Sequence, residues 1–182
     1  MTPARVAVLT VAIQRESDVV VARQRARELA GLLRFEPVEQ TRIATAVSEL
    51  ARNAFVYAGG GTVSFSVEQD RQGAVLWITV NDSGPGIANL GAVLSGAYQS
   101  PTGMRLGIIG ARRLMDAFEV DSKPGGTSVR MSKILPRGSR SPDLKHIAAE
   151  LVKTTPESPL AEVEQQNREL LQPLSELKQR QE

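Results

Sequence analysis

The sequence has no cysteine. That excludes a disulfide scaffold, a thiolate metal site and a cysteine nucleophile, and it fits a reducing, cytoplasmic compartment. Its single histidine, His146, is too little for a multi-histidine zinc centre and a poor basis for a Ser-His-Asp triad. Aromatic residues make up only 4% of the chain, so the stacking platforms that single-stranded nucleic acid requires are scarce. Long apolar runs are missing too: stretches such as residues 19–22 are far too short to cross a bilayer, and no signal peptide is seen at the start. An excess of one charge is also lacking, with 22 basic residues against 20 acidic, so neither nucleic acid nor a membrane surface is implied as a partner.

What is present is enough for one domain with a real core and an appendage: 182 residues, 41% of them hydrophobic, with 15 glycines. The charge is uneven. Residues 1–142 carry 17 basic and 12 acidic side chains, residues 143–182 carry 5 and 8. The mildly basic part suits a small anionic ligand.

Periodicity alternates between strand and helix through residue 135. Residues 6–13 read as a strand with apolar side chains on both faces. Glu16-Ser17-Asp18 supplies a helix N-cap, followed by an amphipathic pattern through Leu33. Pro37 opens a second helix that runs to about Tyr57 and is stopped by Gly59-Gly60-Gly61. Strands are expected at 62–69 and 74–81, joined by a turn at 70–73. A glycine-rich stretch follows, with a weak helix near 89–94, then a helix at 107–117 and a hairpin of strands 118–123 and 127–135. Strands in one layer and helices in the other predict an α+β two-layer sandwich over residues 1–135. Residues 136–159 read as a linker holding a short amphipathic helix at 143–153. Beyond it Leu160, Val163, Asn167, Leu170, Leu174 and Leu177 form a heptad seam within 160–182, which predicts a coiled coil and a homodimer through 160–177. Pro173 opposes a straight helix there, and folding back onto the chain's own domain is the other outcome the pattern allows.

Four local patterns bear on chemistry. Glu49 and Asn53, four residues apart, share one face of the second helix. An amide oxygen can ligate a hard cation and a carboxylate can take a proton from a hydroxyl nucleophile, although the same spacing is common on solvated helices. Asp82-Ser83-Gly84-Pro85-Gly86 follows a strand end; the acid can accept a hydrogen bond from an exocyclic amine while the glycines let a ring approach the backbone, or the whole is an Asx-capped turn. Residues 102–110, Thr-Gly-Met-Arg-Leu-Gly-Ile-Ile-Gly, read as a glycine-punctuated loop entering a helix. Amides there can cradle phosphate, or Gly107 and Gly110 pack against a strand. Gly125-Gly126-Thr127 reads first as a hairpin turn.

The order of these four patterns resembles the GHKL nucleotide-binding superfamily and its Bergerat fold, closest to the RsbT/RsbW/SpoIIAB group of serine kinases and anti-sigma factors. Thr45-Ala-Val-Ser-Glu-Leu-Ala-Arg-Asn-Ala54, then Tyr57-Ala58-Gly59, and Gly110-Ala-Arg-Arg-Leu-Met-Asp-Ala-Phe-Glu119 look RsbT-like. The resemblance spans roughly residues 5–135 and implies a mixed, mostly antiparallel sheet with helices on one face. It implies ATP and Mg2+, with Glu49 as general base and Asn53 as magnesium ligand. It further implies that Asp82 holds the adenine amino group, Gly84 and Gly86 shape its pocket, Gly103 and Gly107 offer lid amides to the phosphates, and Thr127 closes the adenine side. The phosphoacceptor in that group is a Ser or Thr on a STAS-domain partner, in sigma-factor signalling. Two departures stand out. Arg105 replaces the middle glycine of the lid, which restricts φ but brings a guanidinium that can itself contact phosphate, and the usual Gly-x-Gly-Thr is here Gly-Gly-Thr. The readings that follow are a protein serine/threonine kinase, a nucleotide-dependent binding module without strong catalysis, and an ATPase without a protein substrate. His146 lacks the surroundings of a histidine-kinase phosphoacceptor and reads as a solvated helix residue.

Overall fold

The computed structural model of the protein describes residues 4–70, 72–87, 104–137 and 142–153. Five strands, β1 (Ala4–Ile13), β2 (Gly61–Gln69), β3 (Ala74–Asp82), β4 (Ala117–Lys123) and β5 (Gly126–Ile134), form one sheet in the order β1-β2-β3-β5-β4. All four pairings are antiparallel, so the described sheet is not mixed. Four helices accompany it: α1 (Glu16–Leu32), α2 (Pro37–Ala58), α3 (Met104–Leu114) and α4 (Leu144–Lys153). The α+β sandwich expected from the sequence is the fold observed. The weak helix near 89–94, Gly103 and the heptad segment 160–182 lie outside the described residues.

Alternation builds the core. Val63, Phe65 and Val67 of β2, Leu76, Ile78 and Val80 of β3, and Val129 and Met131 of β5 are buried together with Ala22, Ala26 and Leu29 of α1 and Ile43, Val47, Leu50 and Ala54 of α2. On the other face Trp77 of β3 lies beneath the Arg5 guanidinium, 4.5 Å from the ring centroid, and Arg5 also pairs with Glu68 at 3.1 Å. Ile147 and Leu151 of α4 are buried, and Arg25 of α1 donates to the Leu151 carbonyl at 2.6 Å. The core therefore extends past residue 135. His146 is exposed on α4, in keeping with the sequence reading. No helix among the described residues is long and apolar enough to cross a membrane.

Local signals explain the boundaries, with two corrections. Helix α1 starts earlier than its apolar pattern: its N-cap is Arg15, not the Glu16-Ser17-Asp18 run, and Asp18 Oδ2 caps the turn by accepting the Gln14 and Arg15 amides at 2.8 and 2.9 Å. Helix α3 begins at Met104 and ends at Leu114, not 107–117. Its tail is stopped where the Asp116 amide donates to the Ser132 carbonyl and β4 begins. The long α2 ends as expected, with Gly59 in the left-handed conformation (φ 76°) as its cap. The next two residues must also be glycine for a steric reason. A Cβ on Gly60 or Gly61 would collide with the Ile13 or Asn81 carbonyl where the chain crosses the strand ends.

Candidate functional site

The carboxyl end of β3, the second half of α2, the start of α3 and the β4–β5 hairpin enclose a cavity of about 160 Å3. Its walls are largely apolar, from Leu50, Ala54, Tyr57 and Ala58 of α2, Val80, Pro85 and Ile87, Ile108 of α3, and Val129 of β5; Gly86 adds backbone, and the polar side chains are Asn53, Asp82 and Thr127. A mostly apolar slot with a few fixed polar groups is the usual form of a small-molecule site.

Asp82 is the last residue of β3 and pairs in register with Thr127 of β5. Its Oδ1 accepts the Gly84 amide at 3.0 Å and the Thr127 amide at 3.3 Å. The Asx turn is therefore present. Because one oxygen satisfies both amides, Oδ2 is left without a hydrogen bond among the described residues and remains an acceptor for an outside donor. Thr127 is buried, and its hydroxyl is 2.8 Å from Ser122 Oγ, which accepts the Ile87 amide at 2.7 Å.

Gly84 and Gly86 each have a steric reason within the protein itself. A Cβ on Gly84 would stand 2.5 Å from Ala58 Cβ, so this glycine lets the turn seat on the end of α2. Gly86 has φ 83°, and a Cβ there would lie 2.5 Å from the Lys123 carbonyl oxygen, so it folds the segment against β4.

Glu49 and Asn53 sit one turn apart on α2. Asn53 lines the cavity, and its Nδ2 is buried without a hydrogen-bond partner among the described residues. Glu49 is partly exposed, with Arg52 at 3.9 Å as its ion-pair neighbour. Gly107 brings the two residues together. It is buried in α3, and the position of a Cβ on it is 3.2 Å from Glu49 Oε2 and 3.3 and 3.4 Å from the amide atoms of Asn53. Gly107 thus lies in a helix packed on α2, neither in a phosphate loop nor against a strand. Helix formation prevails because Ile108 and Ala111 bury themselves on the core, which offsets the poor helix propensity of two glycines. Gly110 has nothing within 4 Å of its Cβ position. Arg105 falls in the first turn of α3, with its side chain outside the described residues.

Helices α2 and α3 are further locked by Lys133 of β5. Its buried ammonium donates to the Leu114 carbonyl at 2.8 Å and forms an ion pair with Glu39. The hydrogen bond from Lys133 holds the Glu39 carboxyl below the usual carboxylate range, the charges of Lys133 and Arg42 acting in the same direction and burial opposing them.

Of the residues expected from the sequence, Asn53, Asp82, Gly86 and Thr127 meet at one cavity; Gly84, Glu49 and Gly107 are not in its lining, Gly84 adjoining Ala58 and Asp82 and Gly107 adjoining Glu49 and Asn53. Sequence reasoning missed Ser122, which register alone could have revealed, since it pairs with Thr127 across the β4–β5 hairpin. It also missed the apolar walls, whose residues carry no motif. Among the described residues no cluster of three or more His, Cys, Asp or Glu could hold a metal ion. A divalent cation here would take the Asn53 amide oxygen and complete its shell with oxygens from a phosphate ligand, a donor set magnesium accepts.

The family described as the histidine kinase-like ATPase domain matches residues 13–133. The serine/threonine-protein kinase RsbT of Bacillus subtilis (strain 168) is 41% identical over 126 residues, covering 69% of this chain and 95% of RsbT. Among solved structures, a chain of the SiaB–SiaC complex from Pseudomonas aeruginosa is similar at 12% identity with a TM-score of 0.45, over 71% of this chain and 91% of that one.

Proposed function

Because the chain belongs to the histidine kinase-like ATPase family, in its RsbT-type group of ATP-using serine/threonine kinases, we propose that the cavity at β3 and α2 holds the adenine of ATP and that Glu49 serves phosphoryl transfer to a protein hydroxyl. One observation carries this reading. Asn53 lines the same slot as Asp82 and Thr127, while Glu49 stands one helical turn further along, at the contact with Gly107.

In this arrangement Asp82 Oδ2 accepts the exocyclic amine of adenine, and Leu50, Ala54, Ile108 and Val129 enclose the ring. The triphosphate runs toward Asn53, Glu49 and the first turn of α3, where helix N-terminal amides favour negative charge. Asn53, together with phosphate oxygens, would hold magnesium, which would supply charge neutralisation. Glu49 accepts the proton of the acceptor hydroxyl as its oxygen bonds the γ-phosphorus and the bond to the β-phosphate bridging oxygen breaks, releasing ADP. The acceptor we propose is a Ser or Thr on a STAS-domain partner of a sigma-factor signalling system in the cytoplasm, with homodimerisation through the heptad segment 160–177. Arg105 in place of a lid glycine favours a second reading, a nucleotide-dependent binding module with little turnover.

Labelled ATP, magnesium and candidate STAS proteins distinguish the two. Native protein should label a partner and Glu49→Gln should not, while both bind ATP equally in calorimetry. Labelling by the variant at the native rate would remove Glu49 from the base role. Binding of ATP without labelling of any partner would favour the binding module.

A further inference from the structure

We propose that Lys133 is a positioning residue for the phosphate end of the site: by holding the carbonyl of Leu114, the last residue of α3, it sets where that helix lies along α2 and so where Gly107 meets Glu49 and Asn53. Resting on the nucleotide reading above, this role falls to a buried cation that is outside the cavity lining and takes no part in the transfer itself.

Burying an ammonium costs free energy, and a buried ion pair is weak grounds for stability, because apolar side chains of similar size often fold as well or better. Its best-attested use is to fix register. Lys133, 7% exposed near the end of β5, reaches two helices at once. Its Nζ donates to the Leu114 carbonyl at 2.8 Å, at the negative end of the α3 dipole, and pairs with Glu39 in the first turn of α2. Two further bonds fasten the same end: the Asp116 amide donates to the Ser132 carbonyl at 3.0 Å, and Asp116 Oδ2 accepts the Ile134 amide at 2.7 Å. The tail of α3 is therefore fixed to β5 and α2 by polar contacts of definite geometry.

The start of α3 meets α2 through a smoother contact. Gly107 brings no side chain to Glu49 Oε2 and the Asn53 amide, and Gly110 has nothing within 4 Å of its Cβ position. With Ile108 and Ala111 as the side chains that enter the core, such a face has few ridges to resist a slide along the helix axis. Gly107 stands about 10 Å of helix from Leu114, and a rigid helix released at its tail passes a slide on to Gly107 undiminished. The two ends of the ligand should respond differently. Glu49 and Asn53 belong to the phosphate end, whereas Asp82, Thr127 and Val129 at the adenine end stand on β3 and β5, with Ile108 as the wall that α3 supplies.

The test uses the full chain, with thermal unfolding and with calorimetry of adenosine and of ATP plus magnesium. Lys133→Met combined with Glu39→Met removes both charges, so no lone charge is left buried and the variant should melt at or above the native temperature. It should bind adenosine within about twofold of native, because the Ile108 contact is apolar and non-directional, and ATP about tenfold more weakly, as for one lost hydrogen bond at the phosphates. Glu39→Gln removes the ion pair but keeps the Lys133 bond to Leu114; it should melt lower and retain the native ratio of ATP to adenosine affinity. Were Lys133 only a stabilising group, ATP affinity would follow melting temperature and be native in the double variant. That result, an equal loss of adenosine and ATP in the double variant, or the same altered ratio in Glu39→Gln, would overturn the inference while leaving the ATP site standing. If the double variant does not fold, Lys133→Met alone carries the same comparison, since Glu39 is partly exposed to water. Failure of native protein to bind ATP at all would sink the nucleotide reading itself.

Discussion

Gly107 offers a perturbation whose effects on stability and on the site have opposite signs. Replacing a helical glycine with alanine removes backbone freedom from the unfolded chain and favours the helix by about 1 kcal/mol. Against this stands the crowding of the new methyl, 3.2 Å from Glu49 Oε2 and 3.3 and 3.4 Å from the Asn53 amide. Relief requires shifts of a few tenths of an ångström. Glu49 can make them because its carboxylate is the far end of a flexible, partly exposed side chain; Asn53, with Nδ2 buried, has less room. Folding stability should therefore be unchanged or rise, moving the melting temperature by about 0 to +4 °C for a chain of this size. Phosphotransfer should nevertheless fall by about tenfold, since the displaced groups are the proposed base and cation ligand, and misplacement on the ångström scale costs orders of magnitude in rate. The assay pairs thermal unfolding with labelled-phosphate transfer on the same preparation of Gly107→Ala. A variant that transfers at the native rate, equally stable, would show that the contact of α3 with Glu49 and Asn53 has no part in the chemistry.

Two further perturbations probe the other end of the slot and the frame that holds it. Asp82→Asn keeps the oxygen that satisfies the Gly84 and Thr127 amides but turns an amide donor toward the adenine amine. ATP binding should weaken about 10- to 100-fold by calorimetry with the near-ultraviolet circular dichroism unchanged, as expected for loss of a hydrogen bond to a charged acceptor. Glu39 is held below the usual carboxylate range chiefly by the Lys133 hydrogen bond, so the folded state binds fewer protons than the unfolded state. Its stabilisation is complete above the unfolded value near 4.3 and is lost as pH falls through the lower folded value. Glu39→Gln should accordingly melt lower at neutral pH, by about 1–2 kcal/mol of stability, and the gap to the native protein should close on acidification below about pH 4; a gap that is constant with pH would contradict the ion pair with Lys133.

The fold was legible wherever a local rule had no competitor. Alternation in 62–69 and 74–81 yielded β2 and β3 to within a residue, because one face is buried and a slip of one residue would expose the whole apolar set. Asp70 marked their turn, accepting the Gln72 and Gly73 amides at 2.7 and 3.0 Å. Boundaries slipped where tertiary contacts override propensity. The glycine-punctuated run 102–110 argued for a loop as far as Gly107, yet α3 already begins at Met104, and its side with Ile108 and Ala111 is carried into the core. Helix α1 began early because a carboxylate three residues inside the helix caps it, a role that the side-chain type at the first positions did not disclose.

The site divides along the same line. Asp82, Asn53 and Thr127 were legible only through the order of their motifs along the chain, since each pattern alone also reads as a solvated helix face, an Asx turn or a hairpin turn. Ser122 was not, since a serine in an exposed-looking strand has no signature of its own. Its meaning arises only from the Pro124-Gly125 turn, where Gly125 takes φ 107° and Lys123 pairs with Gly126. Counting back from that two-residue turn places Ser122 opposite Thr127, whereas a turn centred on all of Pro124-Gly125-Gly126 leaves the register unassigned. The glycines of the Asp82 motif show the converse. They were found by pattern, but their cause lies in the protein itself: Gly84 is excluded from bearing a side chain by Ala58, and Gly86 by the Lys123 carbonyl. The turn is thereby clamped between α2 and β4 by contacts of the protein itself, and the Gly84 and Thr127 amides hold Asp82 at the cavity. A polar group fixed in this way by its own backbone neighbours loses little conformational freedom when it meets a ligand.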